Sequence, residues 1–309
     1  MEIKEYTEAV AKLISEQNEN FIVEANDVQK NNGLMLNGIT IRTEGCMISP
    51  VIYTNAMYEH DLTVEEAAEK IMEIYEEHKD GMKDFDVNAI QQFDSVKDKI
   101  IARVINKDRN TSIMNTCPYA QFGDLIVTFH VLVQQNESGT ASAKITNEMM
   151  NTWKVNLGQL IEVAYENTKK VLPIEVLPME TILREMMERA GGITPDMEEA
   201  LSMPDHLMFV VSNSGRQYGA YYLTDREGLL KIASEIKEDK YFILPSSVHE
   251  FIVVPASQAE NAESLVAMVK EVNATQVSPD EVLADNVYSF DAQTEELRTI
   301  DGTIIPFIA

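Results

Sequence analysis

The pattern of apolar and polar positions is most distinctive in residues 240–257, KYFILPSSVHEFIVVPAS. Two short apolar runs, 241–244 and 251–254, are rich in aromatic and β-branched residues and flank a polar segment. This arrangement predicts two strands joined by a turn, as in a β-hairpin. Because nearly every residue of the runs is apolar, we expect these strands in the centre of a sheet, covered on both faces.

The N-terminal part of the chain shows a helical pattern followed by strand patterns. Apolar residues at helical spacing predict a helix over residues 3–15. Three strand-like runs separated by turn residues then predict an antiparallel meander, at 21–24, 34–42 and 47–53. Thr63 and Glu66 form a capping-box pattern, which predicts a helix over residues 64–79.

The middle of the chain predicts two strands and a helix. The strands are expected at 100–105 and 124–133. Asn156 and Gln159 predict the start of the helix, with Leu160 among its inward residues.

The C-terminal part predicts paired strands before each helix. Strands at 207–211 and 217–223 are expected to precede a helix, and the 240–257 hairpin a second helix. The predicted caps are Thr224 with Glu227 and Ser257 with Glu260. A final hairpin is predicted from strands at 286–290 and 297–300.

These elements predict an α+β fold of mainly antiparallel mixed sheets, with helices packed on strand-strand-helix units, rather than a doubly wound parallel sheet. Proline and glycine residues punctuate residues 172–205 around a short Met-rich helix at about 179–189. We therefore expect an N-terminal α+β domain at 1–172, a helical Met-rich connector at 173–204 and a C-terminal α+β domain at 205–309.

Composition sets limits on function. The 309 residues are 45% hydrophobic, which is sufficient for a core. The net charge of -26 disfavours direct binding to nucleic acid or to anionic membranes. Acidic charge is uneven, because residues 81–175 contain 11 acidic and 10 basic residues.

Targeting and membrane signals are also informative. The first residues form an acidic amphipathic pattern rather than a signal peptide, and apolar runs fall short of the roughly 20 residues that span a bilayer. Cys46 and Cys117 lack metal or redox spacing. One disulfide between them stays open, but a reduced cytoplasmic chain is the simpler interpretation.

Metal and cofactor motifs give no positive signal. Asp84, Asp86 and Asn88 resemble the start of a calcium loop, but Ala89 occupies the glycine position and Ser95 the position of the bidentate glutamate. We interpret this stretch as a solvated acidic turn. Zinc, phosphate-loop and dinucleotide motifs are missing from the sequence, so we expect neither a metal nor a cofactor.

Several segments together resemble a known family. They are YEHDLTVEEAAEKIMEIYEE at 58–77, RVINKDRN at 103–110, GDLIVTFHVLV at 123–133, ITNEMMNTWKV at 145–155, YFILPSSVHEFIVVP at 241–255 and VKEVNATQVSPDEVLADNVYSFD at 269–291. The chain resembles an uncharacterised bacterial family, domain of unknown function five-six-eight-eight, found in anaerobic gut bacteria. The resemblance implies membership of that family, and no activity, substrate or catalytic residue.

Ser246, Ser247, His249 and Glu250 are the candidates for catalysis. A serine nucleophile needs a base, and the base needs an orienting acid, so the four residues suggest a hydrolase or transferase site. However, the Gly-x-Ser-x-Gly elbow is missing, and serines beside a turn commonly bond to the local backbone.

Cys117 and His130 are a second pair to consider, because an imidazole can activate a thiol. Cys117 lies in a predicted loop, whereas His130 lies within the apolar run of a predicted strand. The alternative is a buried histidine with satisfied hydrogen bonds.

Methionines are concentrated around the predicted connector. Seven of the 16 lie between residues 149 and 203. Flexible thioether side chains suit an adaptable groove for a peptide or partner helix, with Met179, Met186 and Met187 as candidate binding residues. Core packing between two domains explains the same enrichment.

Together these observations favour a non-enzymatic cytoplasmic binding or regulatory protein, with the Met-rich connector or the near-neutral middle region as its contact surface for a protein or peptide partner. One alternative is a hydrolase or transferase that uses the Ser246, Ser247, His249 and Glu250 cluster. The other is an acidic mimic of nucleic acid, suggested by the net charge.

Overall fold

The computed structural model describes residues 1–43, 49–79, 87–136, 139–194, 207–259 and 261–308. The fold is α+β, with antiparallel sheets and packed helices, as predicted. The helices are α1 Ile3–Gln17, α2 Asn55–Glu59, α3 Val64–His78, α4 Phe93–Val96, α5 Thr111–Thr116, α6 Asn147–Trp153, α7 Leu157–Val171, α8 Met179–Arg189, α9 Arg226–Ile236 and α10 Ala262–Thr275. The strands are β1 Phe21–Gln29, β2 Met35–Thr43, β3 Val51–Tyr53, β4 Ile100–Asn106, β5 Tyr119–Phe122, β6 Leu125–Asn136, β7 Gly139–Lys144, β8 Ile174–Pro178, β9 Phe209–Asn213, β10 Lys240–Leu244, β11 Phe251–Pro255, β12 Tyr288–Asp291, β13 Glu296–Thr299 and β14 Ile304–Ile305.

The N-terminal sheet, β1–β2–β3, confirms the predicted antiparallel meander. Helices α1 and α3 pack on it and form a hydrophobic cluster that includes Val10 and Ile71. The capping box at the start of α3 is also confirmed. The Glu66 backbone N–H donates to the Thr63 hydroxyl at 3.2 Å, and the Thr63 N–H donates to the Glu66 carboxylate at 2.8 Å.

The middle sheet has the order β4–β6–β5, and β7 pairs with the second half of β6. Ala102 and Val104 belong to a large hydrophobic cluster, whereas Arg103 between them lines a cleft on the opposite face. Helix α7 covers the outer edge of β4, where the Thr168 hydroxyl accepts a hydrogen bond from the Ala102 N–H at 2.9 Å. One face of this sheet is therefore core, and the other carries polar side chains.

The C-terminal sheet has the order β14–β13–β12–β10–β11–β9–β8. Strands β10 and β11 pair antiparallel in its centre, which confirms the predicted 240–257 hairpin. Helix α9 packs against one face, in the cluster that contains Ile243, and α10 against the other, in the cluster that contains Leu244. The strands are thus covered on both faces, as expected. The predicted final hairpin is confirmed by the pairing of β12 with β13.

The strand predicted at 217–223 is wrong. Residues Gly219–Thr224 form a 3₁₀ helix in which every residue is buried. A short, continuously apolar run has no periodicity that separates a strand from a buried helical turn. The preceding residue, Tyr218, has a positive φ of 59°, which is incompatible with the extended conformation of a strand. The predicted pair of strands before α9 is therefore reduced to β9, whereas the pair before α10 is confirmed as β10–β11.

Two predicted helix caps are also wrong. Helix α9 is capped by Asp225, whose carboxylate accepts from the Gly228 N–H at 3.2 Å, one residue after the predicted Thr224. Helix α10 is capped by Asn261, whose side chain accepts from the Ser264 N–H at 2.7 Å. Ser257 instead donates to Glu238 at 2.5 Å. In both cases an amide or carboxylate side chain downstream of the predicted hydroxyl caps the helix.

The division into two domains with a connector at 173–204 stays a prediction. Within the connector range, Ile174–Pro178 forms the edge strand β8, and α8 confirms the helix predicted at about 179–189. One hydrophobic cluster contains residues of both predicted domains, for example Phe129 and Phe251. Among the described helices, none has the length and apolar character needed to cross a bilayer.

We predict that Gly219→Ala destabilises the fold. An added methyl group would lie 2.6 Å from the Ser212 Cα and 2.7 Å from the His249 carbonyl oxygen, so backbone must move. We expect the free energy of unfolding to fall by about 1–3 kcal/mol, the usual cost of overpacking, in urea denaturation. Gly158→Ala, at the start of α7, is the control, because its closest contact is Asn156 Oδ1 at 3.3 Å. An equal loss in both variants would contradict the prediction.

Candidate functional site

A cleft with a volume of about 700 Å³ lies where the three sheets meet, within the size range of small-molecule sites. Its first wall contains Lys30, at the tip of the β1–β2 hairpin, and Tyr53, on β3. The second wall is the polar face of the middle sheet. The third contains Tyr218, His249 and Glu281.

The tip of the β1–β2 hairpin joins the first wall to the third. The Asn31 side-chain amide donates to the Asp280 carbonyl at 2.7 Å. The Asn32 amide donates to the Pro279 carbonyl at 2.9 Å and to the Val282 carbonyl at 2.7 Å. These amide-to-backbone bonds fix the width of the cleft.

Strand register brings four polar side chains to the second wall. Arg103 on β4 is the partner of Thr128 on β6, and His130 on β6 is the partner of Lys144 on β7. Residues two apart on a strand share a face, so all four lie on the side that faces the cleft.

Arg103 is the most unusual of these residues. It is only 8% exposed, and its guanidinium carbon lies 3.3 Å from the centre of the Tyr218 ring. In the described part of the chain, its Nε and Nη2 atoms have no hydrogen-bond partner, and it forms no ion pair. Burial lowers the pKa of Arg103 to about 10, against the influence of Tyr218, so the group is still a cation at neutral pH. A buried cation without an acid is costly unless another group supplies negative charge.

His130 is buried beside this cation and is neutral. Thr128 Oγ1 lies 3.2 Å from its Nε2, and Ser142 Oγ lies 3.4 Å from its Nδ1. Burial, and then the charges of Arg103 and Lys144, hold the pKa of His130 well below its ordinary value of 6.5. The sequence-based alternative of a satisfied, buried histidine is therefore confirmed.

Cys117 is buried and free, just before β5. Tyr119, two residues after Cys117, is the register partner of Thr128. If the antiparallel register is continued by two residues, position 117 lies opposite His130. The hydrogen bonds of the His130 ring go to hydroxyl groups rather than to this thiol. Activation of Cys117 by His130 stays a prediction. Cys46, with which the sequence leaves a disulfide open, lies outside the described residues.

Lys144 supplies a second cation to the same wall. The cleft walls desolvate its ammonium and lower its pKa, and the Arg103 charge acts in the same direction, while Cys117 opposes them. Lys30 at the first wall lies over the Tyr53 ring, at 4.5 Å from its centre. The acidic residues of the cleft, Asp280 and Glu281, lie on the third wall. The cleft is therefore cationic on the sheet side.

The predicted serine cluster lies partly in this third wall. Ser246 and Ser247 are both buried, and the Ser247 hydroxyl accepts from the His249 backbone N–H at 3.0 Å. The His249 Nδ1 accepts from the Tyr218 N–H at 3.2 Å, and its Nε2 lies 3.4 Å from Glu281. The imidazole of His249 thus positions the Tyr218 backbone.

Glu250, the last member of the cluster, has a pKa raised by burial, against the charges of His249 and Arg216. These contacts do not test catalysis. A hydrolytic or transfer role for Ser246, Ser247, His249 and Glu250 stays a prediction.

The methionine candidates lie away from the cleft. Met179, Met186 and Met187 belong to α8, where Met186 is 61% exposed. Met197 and Met203 lie outside the described residues, as do Asp84 and Asp86 of the acidic turn. A binding role for the three α8 methionines stays a prediction. In the ranges that the structure describes, no group of three His, Cys, Asp or Glu residues is placed to hold a metal ion.

A smaller depression of about 420 Å³ lies on β10, β12 and β13. Its charged residues already pair with each other, Lys240 with Asp291 at 2.9 Å and Arg298 with Glu296 at 2.7 Å. It therefore offers less unsatisfied charge than the cleft.

Three residues that line the cleft belong to no recognisable sequence motif, namely Arg103, Lys144 and Tyr218. The available signal was a single cation within the apolar run IIARVI at 100–105. A charge in a buried strand is uncommon without a partner, so this position alone marks a candidate site.

The chain matches a family of unknown function, DUF5688, over residues 3–292. It therefore belongs to that family, which confirms the resemblance drawn from its segments. Searches of the curated proteins and of the solved structures gave no match.

We predict that His130→Gln flattens the pH dependence of stability. The folded-state pKa of His130 is depressed, so below pH 6.5 the unfolded chain binds a proton that the folded chain does not. Stability is therefore lost as pH falls, by about 1 kcal/mol at pH 5.5 relative to pH 7.5. Gln can still hydrogen-bond to Thr128 and Ser142 but does not titrate.

Urea denaturation at the two pH values measures the effect. We expect wild type to lose about 1 kcal/mol more free energy of unfolding than His130→Gln between these two pH values. His60→Gln, at an exposed position after α2, is the control and should lose as much as wild type. Parallel pH profiles for wild type and His130→Gln would refute the assignment.

Proposed function

We propose that this member of the family is a non-enzymatic binding or regulatory protein that takes a small anionic ligand, bearing a carboxylate or a phosphate, in the cleft. The observation that carries the proposal is the buried guanidinium of Arg103, whose Nε and Nη2 have no partner in the described residues.

The energetics of Arg103 favour an anion as the missing partner. Leaving a buried charged donor unsatisfied costs more than the roughly 1–3 kcal/mol typical of a neutral group. Stacking on Tyr218 recovers only part of this cost, since a cation–π contact contributes about 0.5–2 kcal/mol. A carboxylate or phosphate would accept two parallel hydrogen bonds from the planar guanidinium.

The rest of the cleft supports the same ligand class. Lys144 adds a second positive charge, and the hydroxyls of Thr128 and Ser142 border the same wall. Asp280 and Glu281 line the third wall. This asymmetry favours a ligand whose anionic end faces the middle sheet, and whose other end is neutral or cationic.

The ligand is expected to be a small molecule rather than a nucleic acid. A net charge of -26 repels a polyanion over most of the surface, whereas a small anion meets Arg103 only inside the cleft. A cytoplasmic location and a bacterial source stay predictions. A hydrolase or transferase built on His249, and an acidic mimic of nucleic acid, stay alternatives without a specific observation in their favour.

We predict that anions stabilise the wild-type chain through Arg103. Inorganic phosphate, succinate and citrate are the probes, and thermal unfolding and titration calorimetry are the measurements. At least one should raise the melting temperature in a saturable way, because a ligand that binds only the folded state stabilises it. Arg103→Met should weaken that binding by about 10- to 150-fold, as expected from loss of roughly 1.5–3 kcal/mol in charged hydrogen bonds.

The stability of the ligand-free variant separates this role from a structural one. Met fills the space without an unpaired charge, so Arg103→Met should leave the free energy of unfolding unchanged or raise it. Arg226→Met is the control, since Arg226 lies outside the cleft and pairs with Glu295 at the surface. Unchanged anion binding in Arg103→Met, or no binding of the three probes by wild type, would overturn the proposal.

A further inference from the structure

We propose that Lys144 is a carbonyl-reactive amine, and that the cleft takes an aldehyde or ketone that also bears a carboxylate or phosphate. Lys144 would hold the carbonyl carbon as an imine while Arg103 holds the anion. This inference rests on the proposed anion site and names the chemical class of its ligand.

The position of Lys144 makes it available to a bound ligand. It ends β7, lies opposite His130 in the sheet register and lines the cleft. Its side chain remains exposed to the cleft rather than being enclosed in the core. In the portion of the chain that the structure describes, Lys144 forms neither an ion pair nor a hydrogen bond through its side chain.

The surroundings of Lys144 increase the share of its neutral amine, which is the nucleophilic form, relative to an ordinary lysine. Partial burial and the nearby Arg103 lower its pKa, and a neighbouring cation is an established way to activate a lysine. Lys169 on α7 is the contrast. Burial acts to lower its pKa, but hydrogen bonds to Glu227 and Asp225 raise it overall.

The reaction needs no oxidant or reductant. The nitrogen lone pair of Lys144 attacks the carbonyl carbon, a C–N bond forms, and the carbonyl π electrons move to oxygen. A proton leaves the nitrogen and one reaches the oxygen, which gives a carbinolamine. Loss of water, with the second nitrogen proton, leaves the C=N bond. Amine and carbonyl thus become imine and water.

The spacing of the two cations limits the ligand further. Arg103 on β4 and Lys144 on β7 are separated by β6, and thus by two strand spacings, or about 10 Å between backbones. Their register partners on β6, Thr128 and His130, are two residues apart. This separation favours a ligand whose carbonyl and anion lie several atoms apart rather than a 2-oxo acid.

The test compares 4-oxobutanoate, an aldehyde with a carboxylate, and butanal, which lacks the anion. Each is incubated with the full chain and cyanoborohydride, which reduces the imine to a stable amine, and adducts are located by peptide mass spectrometry. We expect one major adduct on Lys144, with half-labelling at a concentration at least about tenfold lower for 4-oxobutanoate than for butanal. Arg103→Met should abolish this preference.

Two variants provide matched controls. Lys144→Arg keeps the positive charge and should lose the major adduct, yet still bind succinate in calorimetry. Lys12→Arg changes a surface lysine on α1 and should leave labelling unchanged. Pre-bound succinate should protect Lys144 in wild type.

The outcomes separate this inference from the proposed function. If succinate, phosphate or citrate binds through Arg103 but the adducts spread over surface lysines, the covalent role of Lys144 is overturned and the anion site stands. If none of the three anions binds and Lys144 is not labelled preferentially, both are overturned. A Lys144 adduct that forms equally with butanal would overturn the assignment of an anionic ligand.

Discussion

The stack of Arg103 on Tyr218 is the contact on which the cleft depends, because it joins the middle sheet to the third wall. Tyr218 reaches this position in a left-handed conformation, with a φ of 59°, which costs roughly 1–2 kcal/mol for a residue with a Cβ. The Tyr218 N–H donates to His249 Nδ1, and the Gly219 N–H donates to the His249 carbonyl at 2.8 Å. Gly219 permits the close approach to Ser212 that these bonds require. A glycine, a histidine and a tyrosine thus hold one aromatic face against a buried cation.

Individual helices and strands could be predicted from the sequence when residues close together in the chain determine their conformation. The capping box of Thr63 and Glu66 and the apolar runs of β10 and β11 each specify their own conformation within a few residues. The 3₁₀ helix Gly219–Thr224 did not follow, since its conformation is set by contacts with Ser212 and His249 from other elements. Uniform burial removed the periodicity that would have distinguished it from a strand.

The candidate site was harder to predict, because it is assembled from distant stretches. The sequence marks His249 as part of a polar segment between two strands, but its ring contacts are Tyr218 and Glu281, which are separated from it by 31 and 32 positions. In the sequence, Arg103 is flanked by apolar residues, which predict only a core strand at this position. Arg103 is a candidate site residue because its buried Nε and Nη2 atoms lack a hydrogen-bond partner among the described residues, and this can be seen only in the folded chain.

The location of the cleft also explains how a protein with a net charge of -26 can have a cationic site. Residues 81–175 are nearly balanced in charge, and both Arg103 and Lys144 come from this stretch. Exposed acidic charges more than about 8 Å away are screened at physiological ionic strength, whereas a buried cation acts on its neighbours with little screening. Local potential inside the cleft is therefore governed by a few residues rather than by the net charge.

The hydrogen bonds of the Asn31 and Asn32 side-chain amides determine when the cleft can form during synthesis of the chain. Their bonds to Asp280 and Val282 join residues 249 and 250 positions apart. Contacts between such distant residues are closed late, because the loop-closure entropy must first be offset by the structure formed between them. During N-to-C synthesis on the ribosome, the hairpin tip emerges long before its acceptors. The cleft is consequently one of the last features to form, because its third wall is complete only after the loop around residue 282 has left the exit tunnel.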